Sequence, residues 1–431
     1  MQYEEQIKTI VAFIKSGEKE KKDFNLGVEI EHIVIKKESF DSVTYYEEEG
    51  IQVILNKLAP QGYTLKYEDN YLLALEGKTE IITLEPGGQL EVSMSPTMDI
   101  KEIEANYLNF LKKVIPILEE QNQLLMAIGY HPKTSIKDIP FNPKTRYQYM
   151  ADYFKKKGKY AHNMMKGTAS LQVVIDYANE EDFIKKFKVA NFLSPLLHLM
   201  TDNAPIFEGE VFEKNSIRNI IWENTDKDRS SIVPGTFKGK FGYREYAEYI
   251  LNTPPIFIIK DGALIPTYDK KVKDLLDPYH VTQEEISHIL SMVFPDVRVR
   301  KYIEIRMGDT LPYPLNLGYI ALIKGLFYNE IALEYLYEMA NNLEEEKVRQ
   351  AKEDIIEKGF EGRYKCKVIY DFVPVLFDLA KKGLKEEEKG YLKTLENLTR
   401  HEKNPALLSK RLIKSKGIEA LTWCALNRYG G

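Results

Sequence analysis

Three short stretches put carboxylates where a period-two backbone aims them the same way. In GVEIEH at 27–32, Glu29 and Glu31 alternate with Val28 and Ile30. A strand here sets both acids on one face, about 7 Å apart at Cα. That separation suits two neighbouring metal ions; taken alone, it is also what a solvent-facing strand shows. EPGGQLE at 85–91 adds Glu85 and Glu91 around a Pro-Gly-Gly turn whose glycines let backbone approach a ligand closely, although by itself it is an ordinary hairpin. RKYIEIR at 300–306 alternates again, which predicts Tyr302, Glu304 and Arg306 on one face and Ile303 and Ile305 on the other. An acid and an arginine two apart on a strand commonly form a solvated ion pair worth at most about 1 kcal/mol. Together, hard carboxylate oxygens for Mg²⁺ and a guanidinium matched to phosphate oxygens are what phosphoryl transfer requires.

Other chemistries find no support. No Gly-x-x-x-x-Gly-Lys-Ser/Thr loop occurs, and no Gly-x-Gly-x-x-Gly turn opens a helix. His32 falls on the opposite strand face from Glu31, where packing is expected rather than metal binding, and His131 and His162 have no nameable partner. No Ser/His/Asp or Cys/His arrangement can be assembled by role. Cys366 and Cys424 are too few and too far apart for a disulfide framework or a zinc site.

The elements that must position these acids follow from periodicity. A helix is predicted over 3–16, with Ile7, Ile10, Val11 and Ile14 on one side and Gly17 as its stop. Strands are predicted at 26–36, at 80–93 in two pieces joined by the Pro-Gly-Gly turn, and at 171–177, 256–260 and 297–307. Asp99 and Glu102 resemble a capping box ahead of a helix, and a helix over 180–200 is expected to bend or restart near Pro195. Beyond Pro314, residues 318–431 are highly charged and helix-forming, which predicts a helical layer packed on the rest. With no repeat or low-complexity linker, one compact α+β unit is expected, with residues 331–431 as a helical annex to residues 1–330.

The 431 residues are 44% hydrophobic and 29% charged, the balance of a soluble globular protein with a sizeable core. Sixty basic against 65 acidic residues, a net charge of −5, give no field able to offset a nucleic-acid backbone. Residues 1–21 carry charges every few positions, and no run of about 18 apolar residues occurs, so a cytoplasmic protein without a membrane partner is expected.

Read in order, GVEIEH at 27–32, EPGGQLEVS at 85–93, the stretch 126–150 ending in KTRYQYM, TASLQVVIDY at 168–177, WENTDKDRSSIVP at 222–234 and FPDVRVRKYIEIR at 294–306 resemble the plant-type glutamate-cysteine ligases of the glutamine synthetase-like superfamily. The resemblance spans residues 24 to about 330 and is loose in the helical tail. It implies a glutamine synthetase-like catalytic domain over 1–330, in which a curved, mostly antiparallel sheet forms a funnel with helices outside. It implies that Glu29, Glu31, Glu85, Glu91 and Glu304, with Gln172 beside them, hold two or three Mg²⁺ ions. Arg306 and Lys301 would touch the phosphates of ATP, and Arg146 and Arg218 the carboxylates of amino acids. The implied reaction joins the γ-carboxylate of glutamate to the amine of cysteine through a γ-glutamyl phosphate. Two departures stand out: Gly167 precedes Thr168 where plant members have arginine, and Phe257 replaces a tyrosine near Pro254 and Pro255. Both are expected near the acceptor pocket, where lost polar groups alter discrimination. The alternatives are a ligase of the same fold using a different amine, and an inactive protein that senses glutamate or nucleotide.

Overall fold

The alternation around Glu29 and Glu31 forms β1 (Leu26–Lys36), at the centre of a nine-stranded antiparallel sheet in this computed structural model, which describes residues 2–260 and 262–430. The remaining strands are β2 (Thr64–Glu68), β3 (Tyr71–Glu76), β4 (Glu80–Leu84), β5 (Leu90–Thr97), β6 (Gln123–Met126), β7 (Ser170–Ile175), β8 (Val297–Val299) and β9 (Ile303–Asp309). Across the sheet the order is β8-β9-β7-β1-β5-β4-β3-β2, and β6 pairs with residues 33–36 of β1. The expected turn between β4 and β5 is present: Gly88 has φ of 90°, and Gly87 lies so close to a later helix that an added Cβ would stand 2.4 Å from the Lys166 carbonyl oxygen.

The predicted strand at 297–307 is instead a hairpin. Residues 300–302 turn, Val299 pairs with Ile303, and Arg298 faces Glu304. The reason it escapes prediction is chemical: the run VRVRKYIEIR alternates straight through the bend and contains no glycine, proline or asparagine to mark it.

Helices α1 (Gln2–Lys15), α2 (Ile51–Leu58) and α3 (Ile100–Glu120) come from the first third of the chain. Asp99 caps α3 by accepting the Lys101 N–H at 2.9 Å, but the expected reciprocal bond is absent, because Glu102 takes the Thr97 hydroxyl at 2.7 Å. α4 (Thr145–Phe154), α5 (Ala161–Gly167), α6 (Glu180–Met200) and α7 (Ile217–Glu223) follow. α6 runs unbroken through Pro195, since burial of every residue from Lys186 to Met200 supplies packing that outweighs the one N–H the proline lacks. α8 (Tyr243–Asn252) and α9 (Gln283–Ser291) flank the hairpin of Phe257–Lys260 and Ala263–Pro266.

α10 (Leu315–Phe327) is buried at every residue, as its mostly apolar sequence demands, and its one charge, Lys324, is paired with Glu388. It packs on β7 and α3 and is in turn covered by the tail helices α11 (Glu330–Ala340), α13 (Phe372–Lys382) and α14 (Lys389–Glu402), while α12 (Glu345–Lys358) packs on α6 and α7 and α15 (Pro405–Lys416) lies beyond. A small hairpin, Arg363–Tyr364 with Lys367–Val368, interrupts the helices, with the exposed Cys366 in its turn; Cys424 is buried, and both thiols are free.

The helix-facing side of the sheet, with Val28, Ile30, Val92 and Val173, joins Tyr107, Leu111 and Ile320 in the main core. His32 belongs to this side. It is fully buried, its Nδ1–H donates to the Leu90 carbonyl at 3.2 Å, and its Nε2 accepts the Tyr107 hydroxyl at 2.8 Å. Burial pushes its pKa down to about 4, so the ring is neutral and structural. Removing the hydroxyl in Tyr107→Phe leaves Nε2 buried without a donor and should lower unfolding stability by about 1–3 kcal/mol in urea titration. Chemistry at the acidic face should stay within about twofold of wild type, as expected for a change on the opposite side of the sheet.

Candidate active site

Register builds the acidic face. Directly opposed residues of an antiparallel pair point the same way. β1 sets Glu29 between Ser93 of β5 and Gln172 of β7, and sets Glu31 opposite Glu91, which itself opposes Thr83 of β4. On the other flank Glu304 of β9 lies opposite Arg298 of β8. All of these side chains except Ser93 line a cleft of about 320 Å³. Glu85 enters it from the β4–β5 turn, whose carbonyls at Glu85 and Pro86 receive the side-chain and backbone N–H of Asn142, both at 2.9 Å. Gln89 ties the same turn to the start of β7 by donating to the Thr168 carbonyl at 2.8 Å.

The carboxylates are unequal. Glu31 accepts the backbone N–H of Ser170 at 2.7 Å and its hydroxyl at 2.8 Å, with the Gln172 amide at 3.2 Å. Burial and the charge of Glu85 nevertheless push its pKa up to about 7, against the pull of Arg218. Burial and Glu304 raise Glu29 to about 7 as well. Glu91, which accepts the Thr83 hydroxyl at 2.5 Å, is raised well above the usual range by burial and by Glu29, Glu85 and Glu31. Glu304 goes the other way: despite burial, Arg298 and Arg306 hold it down to about 2.

Among the described residues, no group of three His, Cys, Asp or Glu side chains is gathered as a ready-made metal cage. The hydrogen bonds account for this, since Glu31 is turned to Ser170 and both oxygens of Glu304 are taken by Arg298, at 2.5 and 2.9 Å. The donor set still fits a hard cation: five carboxylates and Gln172 line one cleft, and the mutual repulsion of the four not neutralised by Arg298 and Arg306 is what a divalent ion relieves.

The cations occupy distinct positions. Arg306 donates to Gln172 Oε1 at 2.5 Å and to Glu304 at 3.1 Å, and its guanidinium lies 5.8 Å from the Trp222 ring. Arg146 is half-buried in the cleft wall, with an Nε that has no protein partner. Arg218 also lines the cleft, but its two terminal nitrogens hold the carbonyls of Arg306 and Met307, each at 3.0 Å. These carbonyls lie where β9 slips register against β7, between Ile305 and Gly308. The Nε of Arg218 has no protein partner and is open to a ligand.

Two expected residues stand elsewhere. Lys301, at the tip of the hairpin turn, faces away from the cleft with its ammonium 4.8 Å from the Phe13 ring. Phe257 is buried behind the cleft wall, 6.0 Å from the Tyr149 ring and 5.0 Å from that of His288. Gly167 does not line the cleft either; a Cβ there would meet the Tyr130 ring at 2.4 Å, so an arginine has no room. Sequence reading missed Arg298 and Arg300, hidden by the unmarked hairpin, and Lys144, Thr83 and Ser170, which bear no motif of their own. It also missed an apolar part of the wall, where Met150, Met164, Met165, Trp222 and Phe294 come together from α4, α5, α7 and the approach to β8.

A family model described as Glutamate-cysteine ligase family 2 (GCS2) matches residues 25–418, which carries the likeness through most of the helical tail. The chloroplastic glutamate-cysteine ligase A of Oryza sativa subsp. indica is 29% identical over 390 residues, 89% of this chain and 78% of that protein. The chloroplastic glutamate-cysteine ligase of Nicotiana tabacum is 28% identical over 393 residues, 89% of this chain and 74% of its own. Among solved structures, the glutamate-cysteine ligase of Francisella tularensis in complex with AMP matches with a TM-score of 0.59 and 12% identity, covering 94% of this chain and 88% of that one. That likeness is one of fold, and the fold is the glutamine synthetase-like α+β arrangement expected.

The raised carboxylates make stability depend on pH in a definite direction. Glu29 and Glu31 bind protons more tightly folded than unfolded, so their contribution is complete below about pH 4.5 and is lost as pH rises through about 7. Buried neutral histidines act oppositely but only below about pH 6.5. In EDTA, unfolding stability should therefore fall between about pH 6.5 and 8.5, by about 1 kcal/mol per carboxylate. Mg²⁺ should recover it at the alkaline end and have little effect near pH 5. Stability that is flat or rising over that window, or equal Mg²⁺ stabilisation at both ends, would contradict this.

Proposed function

The chain belongs to the glutamate-cysteine ligase family 2, and from that premise we propose that it joins the γ-carboxylate of glutamate to the amine of L-cysteine, consuming ATP and giving γ-glutamylcysteine. One observation carries the reading from the structure: Glu29, Glu31, Glu85 and Glu91 face a single cleft together with Arg298, Arg300 and Arg306. Acids and guanidinium groups in one small space match a polyphosphate with its metal ions, and fit a simple organic substrate less well.

Glu29, Glu31, Glu85, Glu91 and Glu304, with Gln172, would hold two or three Mg²⁺ ions. Bound there, the metal offsets the polyphosphate charge and polarises the phosphoryl group. In the reaction, an oxygen of glutamate's γ-carboxylate attacks the γ-phosphorus of ATP, and ADP leaves. The amine nitrogen of cysteine then attacks the acyl carbon, the C–O bond breaks with its electron pair going to the departing phosphate, and the proton lost by the nitrogen ends on that phosphate. Arg306, steered by Gln172 and Glu304, supplies a fixed positive charge beside the phosphates, and Arg298 adds a second once a cation competes for Glu304. Arg146 offers a free guanidinium edge to an amino-acid carboxylate, with the Nε of Arg218 as a further donor. The apolar wall of Met150, Met164 and Met165 excludes water from an acyl phosphate that water would hydrolyse.

Purified protein with ATP, Mg²⁺ and glutamate should release ADP in proportion to added cysteine, and mass analysis should find γ-glutamylcysteine. Turnover with another amine in place of cysteine would move the acceptor, and no glutamate-dependent ADP release with any amine would end the ligase reading. Glu304→Gln should cut kcat by about a thousandfold, a loss of the size seen when a preorganised electrostatic group is removed. Its thermal unfolding should fall below wild type, because Arg298 and Arg306 lose their buried counter-charge, but remain cooperative, because Ile303 and Ile305 keep the packing of β9, so kcat is read at a temperature where the variant is folded. Activity within about tenfold of wild type would remove Glu304 from the metal set.

A further inference from the structure

Between the cleft and the helical tail lies a buried charge cluster with no part in the chemistry above. Lys352, on α12, is 2% exposed, and its ammonium stands 2.6 Å from Asp296 Oδ2 and in contact with Glu223. Asp296 also accepts the Ser194 hydroxyl of α6 at 2.6 Å, and His198 lies 3.6 Å away. Arg349 approaches Glu223 at 3.9 Å from the same tail helix.

The two anions sit on the two segments that present the arginines of the cleft. Asp296 immediately precedes β8, the strand of Arg298, and its backbone carbonyl accepts the N–H of Arg306 at 3.0 Å. Glu223 ends α7, next to Trp222, whose ring lies 5.8 Å from the Arg306 guanidinium and 5.9 Å from that of Arg218. The Ser231 hydroxyl bonds Glu223 at 2.6 Å while its carbonyl takes the Asp296 N–H at 2.8 Å, which closes the link between the segments. A single ammonium from the tail thus joins both arms of the guanidinium side. Without it the buried Asp296 would lose its ammonium partner and the half-buried Glu223 would keep only the more distant Arg349, a costly arrangement that loosens the join between the segments.

We propose that Lys352 is a positioning residue for the ligase reaction, holding β8 and α7 at the separation that aims Arg298, Arg306 and Arg218 into the cleft. The inference rests on the ligase reading. Mere structural support would make activity track stability, whereas positioning separates the two. Removing the ammonium alone in Lys352→Met leaves Asp296 buried without its ammonium, so the double variant Lys352→Met/Asp296→Asn, which removes charge of both signs, serves as the second arm.

With wild-type turnover established first, Lys352→Met should lose about tenfold or more in kcat and raise the KM for ATP. The double variant should regain most of the thermal stability and still show the kinetic defect. Lys358→Met, which removes an exposed pair with Asp354 on the same helix, should leave kinetics unchanged. Kinetics within about twofold of wild type in Lys352→Met, or full kinetic recovery in the stabilised double variant, would overturn the proposal. A wild-type protein without glutamate-dependent turnover would instead overturn the ligase reading, and this inference with it.

Discussion

Like charges held on one face of a sheet repel, and the register of β1 imposes that repulsion here. Its pairing with β5 on one edge and β7 on the other sets Glu31 beside Glu91 and Glu29 beside Gln172. A slip of one residue would turn Val28 and Ile30 into the cleft and bury the acids against α3 and α10. The apolar face therefore protects the acidic one, since the core that wants Ile30 and Val92 inside leaves the carboxylates nowhere else to go. Hydrophobic burial, a strong and unspecific force, holds in place an electrostatic arrangement that is unfavourable by itself.

The arginines complete this balance unevenly. Arg298 and Arg306 neutralise Glu304 and leave the other four acids with their surplus charge. Arg218 is engaged with the backbone, where it steadies the slipped register of β9 that carries Arg306 across from Gln172. The cleft therefore has a region that is electrostatically closed and one that is open to a cation. The apolar part of its wall comes mainly from helices, with Phe294 from the approach to β8, so most polar and apolar demands on a ligand are met by different layers of the fold.

Much of this was legible in the sequence, for identifiable reasons. The acids of β1 and of the β4–β5 turn announce themselves because alternation and Pro-Gly-Gly are local signals, and His32 was placed correctly by face alone. The hairpin at 300–302 was not legible, since its alternating residues carry no turn chemistry, and with it went Arg298 and the orientation of Lys301. Arg218 reads as a free cation in a one-dimensional pattern; its attachment to two carbonyls depends on a bulge in a distant strand. Phe257 and Gly167 show the converse, positions next to informative motifs whose side chains, or lack of one, face neighbouring packing. Lys352 sits in a run of alternating charges that looks solvated throughout, and only tertiary contact selects it for burial.

The turn that carries Glu85 approaches α5 so closely that a methyl group on Gly87 would collide with the Lys166 carbonyl. The width of the cleft between the acidic strands and the methionine-bearing helix is thus encoded by a missing atom. Any side chain at that position would act as a wedge, widening the aperture and admitting solvent at the place where the two layers meet. Substrate fit here has a ruler, and its shortest division is the hydrogen that glycine carries in place of a β-carbon.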